Sequence, residues 1–330
     1  DKGSTIGMNN YAYMVKNGEG IEKNDDESLR YYKMSSNKGD SEGMLYYGLM
    51  LLNGEGTPKN VEESIRYIKM SADKGNTIAM NKYGSMLKNG TGVSTNKKEA
   101  CRYLKMAADK GYPKAMFNYA LMVKKGIGVE ANNEEAAKYF KMSADNGIAP
   151  GMFKYGCIAK SGDGVEMNKE EACHYFKMGS DLGDIDSMNN YGLMLYEGDG
   201  VEENKEEAAR YFKKTSDQDS KIGQYKYGMM LKNGEGVSEN KKEAVRYLKL
   251  SSDKGQVEAM NEYGKMVRDG EGTERNLEEA IRYFKMSADK GNIEGMYNYS
   301  KMLNESEGIE RDEAESLKYL KLAADDGQVE

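Results

Sequence analysis

Apolar, small and polar positions follow one another along this chain in a fixed order. Within residues 41 to 53, Met44, Tyr47, Gly48 and Leu51 fall at i, i+3, i+4 and i+7, which places them on one face of a helix. Gly54 and Gly56 stop that helix, since glycine readily takes the left-handed conformation of a helix end. Thr57, Pro58 and Lys59 make a turn. Asn60 then reads as an N-cap, and Glu63 three residues on completes the sequence of a capping box. A second helix follows, with Ser64, Tyr67, Ile68, Ser71 and Ala72 on its inner face, and Gly75 ends it.

The whole pattern returns with a step of 36. Tyr followed by a small residue stands at Tyr11, Tyr47, Tyr83, Tyr119, Tyr155, Tyr191, Tyr227, Tyr263 and Tyr299. A second tyrosine ladder runs from Tyr31 to Tyr319, a lysine ladder from Lys33 to Lys321, and a glutamate ladder from Glu27 to Glu315. No insertion or deletion breaks the phase. The expected units are 4–39, 40–75, 76–111, 112–147, 148–183, 184–219, 220–255, 256–291 and 292–327, one array over residues 1–330. Each is a hairpin of two antiparallel helices. One hairpin cannot bury its own apolar stripe but stacked neighbours can, so the expected fold is all-α, a right-handed α-solenoid of nine repeats. Gly48 and Ala72 belong to columns holding only Gly, Ala or Ser, as close helix crossings require, and the Met44 and Met50 columns fill gaps between units.

Both ends cut through a repeat. Asp1-Lys2-Gly3 matches Asp73-Lys74-Gly75, and Gln328-Val329-Glu330 opens a further unit, so the expectation is a fragment of a longer array or of a multidomain protein. Ser306 replaces the first turn glycine of its unit, and Asp219 replaces a glycine that ends a second helix. The scattered Asn, Phe, Cys and Lys within single columns argue against an engineered consensus array.

The order small-Met-x-x-Tyr-Gly-x-Met-Leu-x-x-Gly-x-Gly-Val-x-x-Asn-x-x-Glu-Ala-x-x-Tyr-Phe-Lys-x-Ser-Ala-Asp-x-Gly resembles the Sel1-like repeat, a relative of the tetratricopeptide repeat with a longer Gly-x-Gly turn. The resemblance covers essentially the whole chain. The usual pattern carries Leu-Gly where Tyr47-Gly48 and its equivalents stand here, which alters core chemistry and not topology. The resemblance implies adaptor or scaffold roles and protein binding, and leaves the partner open. The secreted bacterial branch of the family staples its helices with regular disulfides, and that cysteine ladder is missing here.

Composition narrows the function. The net charge is −7, with Lys+Arg 48 against Asp+Glu 55, so a nucleic-acid partner is not expected. No apolar run approaches the roughly 20 residues that span a bilayer. Mean hydropathy of −0.83 implies a thin core under a large surface. The three cysteines, Cys101, Cys157 and Cys173, read as small apolar fillers, and their low count suits a reducing compartment, so the expected location is the cytoplasm.

No catalytic constellation emerges, and neither a cofactor nor a metal is expected. Gly-x-Gly follows helices rather than strands, so it is a turn and not a phosphate loop. Ser71 with Lys74, Ser251 with Lys254 and Ser287 with Lys290 give Ser-x-x-Lys, but the accompanying Ser-Asp-Asn and Lys-Thr-Gly elements are missing. His174 is the one histidine and stands in a column of Arg and Lys. Glu170 and Glu171 favour a helix N-terminus. The sequons at Asn89, Asn298 and Asn304 are short enough to be chance matches.

Columns that vary between units are candidates for holding a partner. On the first helix, the columns of Leu45, Leu49 and Leu52 share a face that, by analogy with tetratricopeptide repeats, lines a concave groove. The first holds Asn9, Asn81, Phe117, Phe153, Asn189, Tyr225, Asn261 and Tyr297; the second holds Leu121, Cys157, Leu193, Met229 and Lys265. The third is mostly basic, with Lys16, Lys88, Lys124, Lys160, Lys232 and Arg268. Asn bonds both groups of a peptide backbone, aromatics anchor interfaces, and a lysine rail attracts carboxylates. The expected partner is therefore a protein or peptide segment, acidic and hydrophobic, bound by Phe117, Leu121, Lys124, Phe153, Lys160, Asn189, Leu193, Tyr225 and Lys232. The alternative is a structural spacer arm within a larger protein or assembly.

Overall fold

The computed structural model describes residues 3–305 and 311–326. Asp1 and Lys2, Ser306, and Gln328 to Glu330, read above as cut ends and a degenerate turn, lie outside the described residues. Among those described, every regular element is an α-helix. The chain divides into two compact units, residues 1–168 and 169–330.

The first unit holds α1 (Thr5–Asn17), α2 (Asp25–Asn37), α3 (Ser41–Asn53), α4 (Val61–Asp73), α5 (Thr77–Asn89), α6 (Lys97–Asp109), α7 (Pro113–Lys124), α8 (Asn133–Asp145) and α9 (Ala149–Ser161). The second holds α10 (Lys169–Asp181), α11 (Ile185–Glu197), α12 (Lys205–Asp217), α13 (Lys221–Asn233), α14 (Lys241–Asp253), α15 (Val257–Asp269), α16 (Leu277–Ala288), α17 (Ile293–Glu305) and α18 (Glu313–Asp326). The helix expected over 41 to 53 is α3. Within each unit, a first helix packs on its own second helix, and that second helix packs on the next first helix. First helices also touch directly at α1–α3, α5–α7 and α15–α17.

The core is thin, as the hydropathy requires. Tyr47 and Tyr67 meet edge to face with ring centroids 4.8 Å apart, and Tyr83 and Tyr103 do so at 5.0 Å. Within each unit the two tyrosine ladders therefore meet as crossed ring pairs. The methionine columns are buried between helices, with Met44, Met50 and Met80 at most 3% exposed.

The polar ladders explain how one repeat holds the next. Lys105 lies over the rings of Tyr119 and Tyr139, 5.0 and 5.1 Å from their centroids. Its ammonium donates to the Tyr139 hydroxyl at 3.1 Å and reaches Glu135 at 3.4 Å. Tyr119 donates to the same carboxylate at 2.9 Å. In the second unit Lys249 repeats this with Tyr263, Tyr283 and Glu279, and Lys285 with Tyr299 and Glu315. Each lysine belongs to one repeat and its partners to the next. The cation holds itself by ring quadrupole and carboxylate together.

This changes the expected capping box. Its first half is present: Glu27, Glu63, Glu99, Glu135, Glu207, Glu243 and Glu279 each donate a backbone N–H to the cap asparagine. The second half is replaced. The N–H of Asn60 donates to the Leu51 carbonyl at 2.9 Å, and that of Asn132 to Val123 at 3.3 Å. With that donor already used by the preceding helix, the glutamate turns to the tyrosine and lysine of the latch.

The glycine-rich turn also joins repeats. Gly128, at φ +72°, lies so close to the start of α6 that an added Cβ would overlap the Lys97 carbonyl. Gly20, also at φ +72°, has no such neighbour within 4 Å. Asp219 keeps the left-handed conformation of the glycine it replaces, at φ +67°, and the helical phase is undisturbed.

These two glycines separate strain from stacking. Gly20→Ala is expected to destabilise by about 1–2 kcal/mol through backbone strain alone. Gly128→Ala adds overpacking and is expected to lose about 2–5 kcal/mol. Urea denaturation of both variants checks the difference; equal losses would remove the second glycine's role in stacking.

Candidate binding groove

The variable columns lie on the first helices. Phe117, on α7, is half-buried, and its ring meets Phe140 of α8 edge to face with centroids 5.8 Å apart. Leu121 and Lys124, one and two turns along, are half-buried as well. On α9, Phe153 and Lys160 are half-buried, and the Lys154 ammonium sits 5.0 Å from the Phe153 ring centroid. Between α7 and α9 a hollow of about 250 Å³ opens, walled by Leu121, Lys124, Cys157 and Ile158 over a floor of Phe140. In the second unit, Leu193 and Tyr225 are half-buried on α11 and α13. A hollow of about 200 Å³ lies there between Tyr196, Tyr225, Met229 and Met230 over Phe212. Phe212 and Met229 stand two repeats after Phe140 and Cys157, so the two hollows occupy the same register.

Two expectations about this face are corrected. Asn189 is only 4% exposed. It donates to Ser220 Oγ at 3.1 Å and accepts from the Thr215 hydroxyl at 2.7 Å, so the fold uses its amide. The rest of its column behaves alike: Asn9 donates to Asp40 at 2.8 Å, Asn81 accepts from Asn118 at 2.8 Å, and Asn261 accepts from Asn298 at 2.9 Å. These asparagines tie neighbouring repeats together, and the fold already uses their amides. The lysine rail is also largely neutralised. Lys16 pairs with Glu55 at 2.5 Å, Lys124 with Asp163, and Lys232 with Glu262 at 2.6 Å. Glu55 and Asp163 are the central residues of the next repeat's Gly-x-Gly turn. Lys88 is different, because the turn residue in the matching place is Ile127.

The sequence profile of the Sel1 repeat matches residues 5–40, 41–76, 77–112, 113–148, 149–184, 185–220, 221–256, 257–292 and 293–328. The chain belongs to the Sel1 repeat family. Among solved structures, a protective antigen of uropathogenic Escherichia coli with this repeat fold superimposes with a TM-score of 0.82 at 20% identity, over 99% of this chain and 78% of the other. A Sel1 repeat protein from Oxalobacter formigenes gives 0.67 at 24% identity, over 74% of this chain and 96% of the other. No curated protein matches at the sequence level. Sel1 repeat proteins generally mediate protein–protein interaction and are generally non-enzymatic scaffolds.

The chemistry of this Sel1 array is that of surfaces. Among the described residues no cluster of His, Cys, Asp or Glu is arranged to hold a metal ion, and no helix is long and apolar enough to cross a membrane. Cys101 and Cys173 are buried free thiols, and burial pushes both above the ordinary thiol range, away from the reactive thiolate. Ser71, Ser251 and Ser287 donate their hydroxyls to the carbonyls of Ser41, Lys221 and Val257, so the Ser-x-x-Lys serines join the two helices of a repeat.

Sequence reasoning missed the hollow floors and the groove's acids. Phe140 and Phe212 belong to a second-helix column that reads as plain core. Glu262 is on the first-helix face and bridges Lys232 at 2.6 Å and Lys265 at 2.8 Å. Burial alone would raise its pKa, but the hydrogen bonds from those two lysines outweigh burial and hold it below the ordinary glutamate range. A depressed folded-state pKa gives stability that is present above the unfolded pKa of about 4.3 and is lost as pH falls through the folded value. Glu262→Gln, which leaves two lysines facing each other, is expected to lose about 1–3 kcal/mol at pH 7. The gap should narrow as pH falls below ~4. Thermal melts at pH 7 and pH 3 check this; an equal deficit at both pH values contradicts it.

Proposed function

We propose that this Sel1 array is a non-catalytic interaction scaffold, and that the first-helix face of residues 1–168 holds an acidic partner segment with an apolar anchor. The observation that carries this is a local excess of positive charge on an acidic chain. Helices α5, α7 and α9 contain Lys82, Lys88, Lys114, Lys124, Lys154 and Lys160 and no Asp or Glu. The chain as a whole carries −7. The turn acid Asp163 answers Lys124, whereas the turn residue in the place matching Lys88 is Ile127. The hollow over Phe140 lies among these lysines and seats an apolar side chain while the flanking carboxylates meet the cations.

The same two repeats depart from the pattern in unrelated places. Tyr112 and Ile148 stand at the N-caps of α7 and α9, where other repeats place Ser, Asp or Asn except for Gln256 at α15, and neither caps its helix by a side chain. Pro113 and Pro150 sit in the first turns instead. Phe117 and Phe153 replace the tying asparagines. A capping bond contributes about 1 kcal/mol, so giving it up twice beside an apolar hollow favours recognition over stability.

A fluorescein-labelled Asp/Glu-rich peptide with one central Phe tests this by anisotropy. The full chain should bind it with salt-sensitive affinity. Lys88→Glu with Lys154→Glu should weaken binding tenfold or more. Asp163→Asn, which releases Lys124, should strengthen it about twofold to fivefold, as befits one exposed ion pair. Absence of binding, or binding indifferent to the two charge reversals, would leave the spacer arm as the better reading.

A further inference from the structure

We infer that the hollow between α11 and α13 is a second docking site, which takes a bulky aromatic side chain from an uncharged stretch of a partner. This rests on the scaffold reading but concerns another unit and another chemistry. The hollow over Phe212 is walled by Tyr196, Tyr225, Met229 and Met230. Aromatic faces and thioethers give favourable contacts to a further ring, and thioethers adapt to its shape. Its volume of about 200 Å³ exceeds the 150 Å³ or so of an apolar cavity that accepts benzene, so it has room for a phenol or indole.

The charge around it is smaller than around the hollow of the first unit, which Lys124, Lys125 and Lys154 line against Asp163 alone. Glu235, at the rim, accepts from the Tyr196 hydroxyl at 2.7 Å and from Lys205 at 3.0 Å. The Lys205 ammonium lies 5.0 Å from the Tyr196 ring centroid, and Lys226 lies 5.7 Å from that of Tyr225. Lys205 and Glu235 offset each other, so these groups leave a single positive charge, Lys226, at the rim, and the rest of the lining is largely apolar.

The wall formed by α13 rests on a more polar seam than its neighbours. Gln224 occupies the place that Met188 and Met260 hold one repeat before and after. It is 3% exposed; its Nε2 donates to Asp219 at 3.4 Å and its Oε1 has no hydrogen-bond partner. Asp219 is the one residue other than glycine at positive φ among those described. The Ser216 hydroxyl, on the facing helix α12, is buried without a partner too. A polar seam under one wall lets that wall shift to fit a ring, where an apolar seam would hold it fixed.

The chain contains no tryptophan, so an indole probe is read without background. N-acetyl-tryptophanamide, which carries no charge, is titrated against the full chain while its emission is followed. Saturable binding is expected, with a Kd on the order of 1 mM. Met229→Lys should weaken it fivefold or more with helicity unchanged, and Tyr225→Ala gives the same reading from another side chain if the first variant does not fold. The pair Asp219→Gly and Gln224→Met, which firms the seam, should weaken it twofold or more. Cys157→Lys, in the equivalent hollow of the other unit, should leave it unchanged. The absence of saturable binding, or binding that follows Cys157→Lys rather than Met229→Lys, overturns the assignment. Because the probe is neutral, neither outcome depends on whether the acidic peptide binds.

Discussion

The structure depends on a lysine of one repeat lying over two tyrosine rings of the next while bound to that repeat's capping glutamate. Lys105 and Lys249 make this contact in full, and Lys285 makes it with the Tyr299 ring and Glu315. Their ammonium groups are held above the ordinary lysine range by hydrogen bonds and charges from those tyrosines and glutamates, with burial opposing at all three. The latch accounts for four constant columns at once: two tyrosines, one lysine and one glutamate. It also explains how so polar a chain stacks. Where the apolar layer between hairpins is thin, a cation shared by rings and a carboxylate adds a directional contact that apolar packing lacks.

Constancy in those columns leaves the first-helix face free to vary. On that face the fold still takes what it needs, since asparagines tie neighbouring repeats and turn acids neutralise rail cations. What remains is uneven. Repeats built on α5, α7 and α9 keep cations, and α7 and α9 also lose their caps. The repeats around α11 and α13 set rings and thioethers around their hollow. A single architecture thus presents two chemistries, and the differences lie in side chains the stack does not require.

The repeat period, the helix limits and the inward faces were legible in the sequence, because they rest on spacings of one to seven residues within a unit. Ser64, Tyr67, Ile68, Ser71 and Ala72 are all buried as their spacing implies. The errors have one cause. The reciprocal half of the capping box, the asparagine column and the lysine rail each depend on a partner outside the helix that carries them. The structure decides them with partners from another helix or repeat: Leu51 for Asn60, Asn118 for Asn81, Asp163 for Lys124. Those partners sit at separations that a helical wheel does not show. Phe140 and Phe212 were missed for a related reason, since a floor is recognised only when the gap above it is seen.

The most direct test of this division between holding and binding is one pair of variants measured twice, for stability and for affinity to the acidic peptide. Lys105→Met removes a latch and leaves α7 and α9 intact, whereas Phe117→Ala with Lys88→Glu alters only the variable face. The account predicts that the first lowers the unfolding midpoint and leaves the affinity of the folded protein unchanged, while the second lowers affinity tenfold with a smaller loss of stability. Equal loss of affinity in a fully folded Lys105→Met variant would contradict it, because the constant columns would then be part of the binding surface.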